Sequence, residues 1–227
     1  MNMKLLIDDA NIEEIKRLMD LYPIKGGSTN PSILAKYGND PWTLLKKIRA
    51  LYGEERDFHV QTIATDAAGI VADGHRIAQE LGRNTLIKIP CMPEGFKAMK
   101  ILAQEGYRVT GTCVYTPLQA YLAFESGAEY VAPYVDRIDN MGYDGVQVVK
   151  TIQDIIDSNG YDAKIMAASF KNSQQVLELC AYGIDSATCG PAIIDNFTAS
   201  AAIGAAVDKF TSDFEKAVGK GKTMANL

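Results

Sequence analysis

The chain has 227 residues, 47% hydrophobic and 22% charged, a balance that suits a packed globular domain rather than a disordered or fibrous chain. Its net charge of −5 and pI near 5.1 argue against a polyanion-binding surface, so no nucleic-acid partner is expected. No apolar stretch reaches membrane-spanning length, and the opening MNMKLLIDDAN carries acids where a secretory signal would keep an apolar core, so a cytoplasmic protein with no membrane contact is the expectation.

Short apolar, β-branched runs alternate with amphipathic stretches along the whole chain. KLLIDD reads as the first strand, and a helix over IEEIKRLMDLY follows, capped by Asn11 or Asp9. PIKGG is a short second strand. NPSILAKYG opens a helix with Pro31 in its first turn, where the missing N–H costs nothing. WTLLKKIRALYG is a further helix, with Trp42, Leu45, Ile48 and Leu51 at helical spacing and Trp42 read as packing rather than a binding platform. FHVQTIA is the third strand, and DAAGIVADGHRIAQELG is its helix, closed by Gly82. TLIKIP and PEGFKAMKILAQEG form the fourth pair, YRVTGTCVY and TPLQAYLAFESG the fifth, EYVAPYV and GVQVVKTIQDIIDSNG the sixth. AKIMAAS with NSQQVLELCAYG and IDSATCG with PAIIDNF complete eight units, and AIGAAVDKFTSDFEKAVG adds a last helix.

Eight β-α units with no linker or low-complexity break predict an α/β fold, a single-domain (βα)8 TIM barrel over residues 1–227. An extra C-terminal helix is expected at about 205–219, with a tail over 220–227. A doubly wound open sheet is the alternative. The four cysteines include no CxxC pair and read as free thiols, with Cys113 and Cys189 packing as small hydrophobes. The only histidines, His59 and His75, lack further ligands at metal spacing, so neither a metal site nor a cofactor is expected.

In such a barrel, catalytic groups come from the C-terminal ends of the strands. Polar residues collect there. Asp8 ends the first strand; Ser28, Thr29 and Asn30 follow the second; Gln61, Lys88 and Thr112 lie late in the third to fifth. Tyr134 and Arg137 end the sixth, and Ser169 and Lys171 the seventh. Each has an ordinary explanation singly, Asp8 and Asn30 as helix caps for instance, but together they would face one mouth. Lys88 stands out because a lysine between two isoleucines loses hydration that its neighbours cannot replace. A strand end from which the side chain snorkels to water is one reading. The other is an amine whose pKa is lowered by desolvation and by a nearby cation, Arg137 or Lys171, so that it attacks a carbonyl to give a Schiff base. Arg137, Ser169 and Lys171 form a candidate phosphate clamp. Pairing of Arg137 with Asp136 or Asp139 is equally open.

GGSTNPSIL, TLIKIP, GTCVY, EYVAPYVDRID and AASFKN, in this order over nearly the whole chain, resemble the transaldolase family, and in particular its short branch of small transaldolases and fructose-6-phosphate aldolases. The resemblance implies that Lys88 forms the Schiff base, that Asp8 and Asn30 hold substrate hydroxyls and that Thr112 positions a catalytic water. It assigns phosphate binding to Arg137, Ser169 and Lys171. Gln61 and Tyr134 match the aldolases, where transaldolases carry glutamate and phenylalanine. The expected activity is therefore reversible cleavage of fructose 6-phosphate to dihydroxyacetone and glyceraldehyde 3-phosphate, the phenol of Tyr134 serving as acid/base through water. Transfer of a dihydroxyacetone unit between sugar phosphates is the alternative, and a non-catalytic sugar-phosphate-binding barrel is a third. Asp136 departs from the small or neutral residue of relatives, and inside the site it would repel a phosphate. The resemblance also implies a homo-oligomer, a pentamer or decamer, in which Phe210 and Phe214 give the last helix an apolar stripe to bury.

Overall fold

A computed structural model describes residues 2–227. Eight parallel strands close into a barrel in sequence order: β1 Lys4–Asp8, β2 Gly26–Ser28, β3 Asp57–Gln61, β4 Leu86–Pro90, β5 Val109–Val114, β6 Tyr130–Pro133, β7 Lys164–Ala167 and β8 Ser186–Cys189, which pairs back to β1. The closed order excludes the open sheet. The helices are α1 Ile12–Leu21, α2 Pro31–Leu34, α3 Pro41–Tyr52, α4 Ala67–Leu81, α5 Pro93–Gln104, α6 Pro117–Glu125, α7 Val135–Asp139, α8 Gly145–Asn159, α9 Ser173–Tyr182, α10 Pro191–Asp195 and α11 Ala201–Val218. The chain divides into two compact units: residues up to Ile194, which hold the barrel, and Asp195–Leu227, which hold α11.

Strand alternation sorts the core into two layers. Ile87 and Ile89 of β4 join the large cluster between strands and helices, with Ile70, Met99 and Leu102. Leu86 belongs to a separate group with Leu6, Tyr130, Ala132 and Met166 inside the barrel. Lys88, two residues beyond Leu86, keeps the interior phase. The end of β4 is held by a close approach: a Cβ on Gly95, in the first turn of α5, would fall 1.9 Å from the Pro90 carbonyl oxygen. Only glycine lets the helix seat there.

Charges close the opposite, N-terminal end of the barrel. Asp57 accepts from Lys4 Nζ and from Tyr130 Oη, each at 3.3 Å, and pairs with Arg108 at 3.2 Å. Arg108 grips Glu129 through two bonds of 2.8 Å, and Lys164 reaches the same carboxylate at 3.2 Å. This end of a barrel serves stability, leaving the other for chemistry.

Candidate active site

The two ends of the first strands meet side by side. Asp8 and Ser28 are in register, and Ser28 Oγ donates to Asp8 Oδ1 at 2.7 Å while lying 3.0 Å from Thr188 Oγ1 on β8. Asp8 therefore caps no helix: Asn11 caps α1. Asn30 is a cap, its Oδ1 accepting the Ile33 N–H at 3.0 Å. Its amide Nδ2 makes no hydrogen bond among the described residues, so one residue can hold the start of α2 and still donate to a ligand.

Lys88 lies at the centre, 2% exposed, so it does not snorkel. Its Nζ donates to the Thr29 carbonyl at 3.0 Å. Burial pushes its pKa below the ordinary lysine value, while Asp8 and Cys113 oppose that shift. Desolvation does the work here; the neighbouring cation expected from sequence is not among its causes. Burial likewise raises the Asp8 carboxyl, against the pull of Lys88 and the Ser28 hydrogen bond. Gln61 pairs in register with Lys88, and its Oε1 is buried with no partner among the described residues, an acceptor open to a substrate or water.

Thr112 Oγ1 lies 2.9 Å from Tyr134 Oη. Burial first, then Cys113, raises the phenol pKa, so Tyr134 stays protonated at neutral pH. Cys113 corrects the sequence reading: it does not simply pack as a small hydrophobe. The β5–β6 register shifts between Gly111 and Val114, and Cys113 adopts φ +56°. Such a bulge lets consecutive residues face one side, and Cys113 Sγ sits 3.7 Å from the same Tyr134 Oη that Thr112 contacts.

Arg137 makes no ion pair among the described residues. Its guanidinium lies over the Tyr134 ring, 4.7 Å from the centroid, and Nη1 donates to Tyr115 Oη at 3.5 Å. The two acids that could have paired with it are engaged elsewhere: Asp136 accepts from Asn140 Nδ2 at 3.1 Å, and Asp139 from the Gly145 N–H and Gln175 Nε2. The Asp136 N–H donates to the Ser169 carbonyl at 2.7 Å, which joins the Arg137 turn to the end of β7. Ser169 holds φ +61°, a conformation costly outside glycine and common at functional sites. Lys171 is exposed, with its N–H bonded to Gln175 Oε1 at 2.8 Å.

A model of the family described as Transaldolase/Fructose-6-phosphate aldolase matches residues 5–226. The chain belongs to that family. A probable fructose-6-phosphate aldolase of Streptococcus pneumoniae (strain ATCC 700669 / Spain 23F-1) is 37% identical over 213 residues, covering 93% of this chain and 96% of the relative. A solved structure described as "Native KDPGal structure" aligns with a TM-score of 0.58 at 15% identity, over 84% of this chain and 82% of that one, a likeness of fold alone. As a member of the transaldolase/fructose-6-phosphate aldolase family, the chain is an enzyme of the aldolase type acting in carbohydrate metabolism. No helix among the described residues is long and apolar enough to cross a membrane.

Sequence reasoning toward this family passed over Tyr115 and Thr188, and it placed Thr29 at the mouth without giving it a role. Thr29 contributes through its backbone carbonyl and Thr188 through a cross-barrel hydroxyl, and neither leaves a signal in residue type. Tyr115 lies one residue past β5 and ends the run YRVTGTCVY read as that strand, where its ring passes for strand filling.

Proposed function

We propose that this member of the family is a Schiff-base aldolase that cleaves fructose 6-phosphate reversibly to dihydroxyacetone and glyceraldehyde 3-phosphate. The observation that carries the reading is the Lys88 amine, buried in the barrel with a backbone carbonyl as its partner and biased toward its neutral, nucleophilic form. Nζ attacks the ketone carbon to give a carbinolamine, and loss of water leaves a protonated imine. The C3–C4 bond then breaks: its electrons flow into the iminium to give an enamine, the C4 hydroxyl gives its proton to Asp8, and the aldehyde leaves. Proton return to the enamine carbon, relayed from Tyr134 through a water held near Thr112 and Gln61, restores the iminium. Water then adds to the iminium, freeing dihydroxyacetone and Lys88, and the proton that this water releases restores the Tyr134 phenol.

Asn30 and Ser28 hold the donor hydroxyls, and Arg137, Ser169 and Lys171 hold the phosphate of the acceptor half. Asp136 favours this reading because its carboxylate is tied to Asn140. The choice of lyase over transferase rests on Gln61 and Tyr134. A glutamine cannot exchange protons, and a neutral phenol can finish the enamine's hydrolysis. We read the chain as one cytoplasmic domain that works as a homo-oligomer, a pentamer or decamer. In support, α11 carries Ile203, Val207, Phe210 and Phe214 at helical spacing and buries none of its residues.

Borohydride reduction with dihydroxyacetone should fix one adduct on Lys88, and the ratio of dihydroxyacetone released to dihydroxyacetone transferred onto erythrose 4-phosphate should exceed one. A label on another residue overturns the mechanism. A ratio below one makes the enzyme a transaldolase.

A further inference from the structure

Arg137 belongs to two groups of residues at once. Its guanidinium lies 4.7 Å from the centroid of the Tyr134 ring, and its Nη1 reaches Tyr115 Oη at 3.5 Å. The Tyr115 ring in turn stands edge-on to Tyr134, with centroids 5.6 Å apart and planes at 80°. Three side chains thus form a closed triangle, and no carboxylate among the described residues pairs with the arginine. An exposed arginine without an ion pair would ordinarily sample many rotamers. Here an aromatic face and a phenol oxygen confine it.

From this triangle we infer that Tyr115 is a positioning residue for acceptor selectivity: it holds Arg137 ready for the phosphate dianion and gives the enzyme its preference for a phosphorylated aldehyde. The inference rests on the phosphate role proposed above for Arg137. Tyr115 occupies a single donor atom, and the fork has further N–H groups that can meet phosphate oxygens in parallel. The side-chain ordering that binding would otherwise demand is already in place, which is how preorganisation raises affinity. Tyr115 itself is fixed independently of its hydroxyl, since its backbone N–H donates to Gln119 Oε1 at 2.9 Å beside the α6 capping box.

Tyr115→Phe removes only the hydroxyl and keeps the edge-on ring. The measurement is kcat/KM in the synthetic direction, dihydroxyacetone being joined to glyceraldehyde 3-phosphate or to unphosphorylated glyceraldehyde. The phosphorylated-to-unphosphorylated ratio should fall about three- to tenfold, the worth of one immobilised side chain, with the loss in KM rather than kcat. Inhibition by inorganic phosphate should weaken by a similar factor. An equal loss toward both aldehydes, or an unchanged ratio, overturns the inference. Arg137→Ala separates it from its premise. If that variant collapses the ratio while Tyr115→Phe does not, the positioning role alone fails. If Arg137→Ala leaves the ratio intact, the phosphate reading of Arg137 fails and the inference with it.

Discussion

Tyr134→Phe separates chemistry from packing more cleanly than any other change in the site. The ring is 8% exposed, and its edge and face contacts with Tyr115 and Arg137 need no hydroxyl. What is lost is one buried hydrogen bond, to Thr112 Oγ1 at 2.9 Å, and the longer contact with Cys113 Sγ. A neutral hydrogen bond contributes about 0.5–1.5 kcal/mol, and each kcal/mol moves the melting temperature of a domain this size by about 2–4 °C. Against a stability of about 5–15 kcal/mol, that loss leaves the protein folded at 25 °C. Removal of a general acid/base group, in contrast, slows turnover by about two to four orders of magnitude, or about 3–5 kcal/mol of barrier. Dihydroxyacetone release from fructose 6-phosphate should fall by that factor, while borohydride still traps the adduct on Lys88. Turnover within about threefold of the parent would refute the role of the phenol. Loss of the trapped adduct alongside turnover would place the damage at imine formation instead.

Lys88→Met should abolish trapping and turnover while leaving the urea midpoint equal or higher, since a buried amine with one hydrogen bond gives way to an apolar side chain of similar volume that carries no desolvation penalty. The sign follows from the depressed pKa: between the native and ordinary lysine values the unfolded chain binds the extra proton, so the parent's stability rises with pH there and the variant's should not. Gln61→Glu should lower the ratio of released to transferred dihydroxyacetone, and further so when combined with Tyr134→Phe; an unchanged ratio in the double variant refutes the assignment of reaction type to this pair. At the other end of the barrel, burial alone would raise the Glu129 carboxyl, but the hydrogen bonds and charge of Arg108, with Lys164, hold it below its usual value of 4.5. Its stabilisation is therefore present above that pH and lost as pH falls through the lower native value. Arg108→Met should cost about 1–3 kcal/mol at pH 7 by denaturant titration, the cost of leaving a buried hydrogen-bonding group without its partner, and less once pH falls through the native value of the Glu129 carboxyl.

Most strands were legible because each is a short apolar run followed by an amphipathic helix, and the most informative residue was the one that broke such a run. Sequence left Lys88 open between a strand end that reaches water and a buried amine, and the interior phase it shares with Leu86 is what places it inside the barrel. Short elements were less visible. VDRID forms α7, burying Val135 and Ile138, but one helical repeat after an apolar strand reads as more strand, and EYVAPYV overran β6 by two residues. NPSILAKYG divides into α2 and a 3-10 turn over Ala35–Tyr37, and α11 starts at Ala201 rather than near 205. Cys113 was misread for a different reason. A bulge inverts the alternation on which any inside/outside assignment rests, and nothing in GTCVY marks one. Arg137 stayed open between phosphate and its neighbouring acids because sequence gives distance along the chain. The partners Asn140, Gly145 and Gln175, which occupy those acids, depend on how α7 folds together with the starts of α8 and α9.

The electrostatics of the site suggest how the proposed steps are ordered. Burial drives Lys88, Asp8 and Tyr134 all toward their uncharged forms. The resting site is therefore poor in fixed charge near the donor, and the exposed Arg137 keeps its charge at the mouth. Imine formation changes this balance, because the protonated imine places a positive charge on the Lys88 nitrogen. A protonated Lys88 lowers the Asp8 pKa, and an iminium on the same nitrogen exerts the same pull. The charged form of Asp8 is thus favoured at the stage when a base for the C4 hydroxyl is needed, and Ser28, donating at 2.7 Å, steadies it. In this scheme the covalent step supplies the charge that arms the base, which ties cleavage to a donor already bound to Lys88.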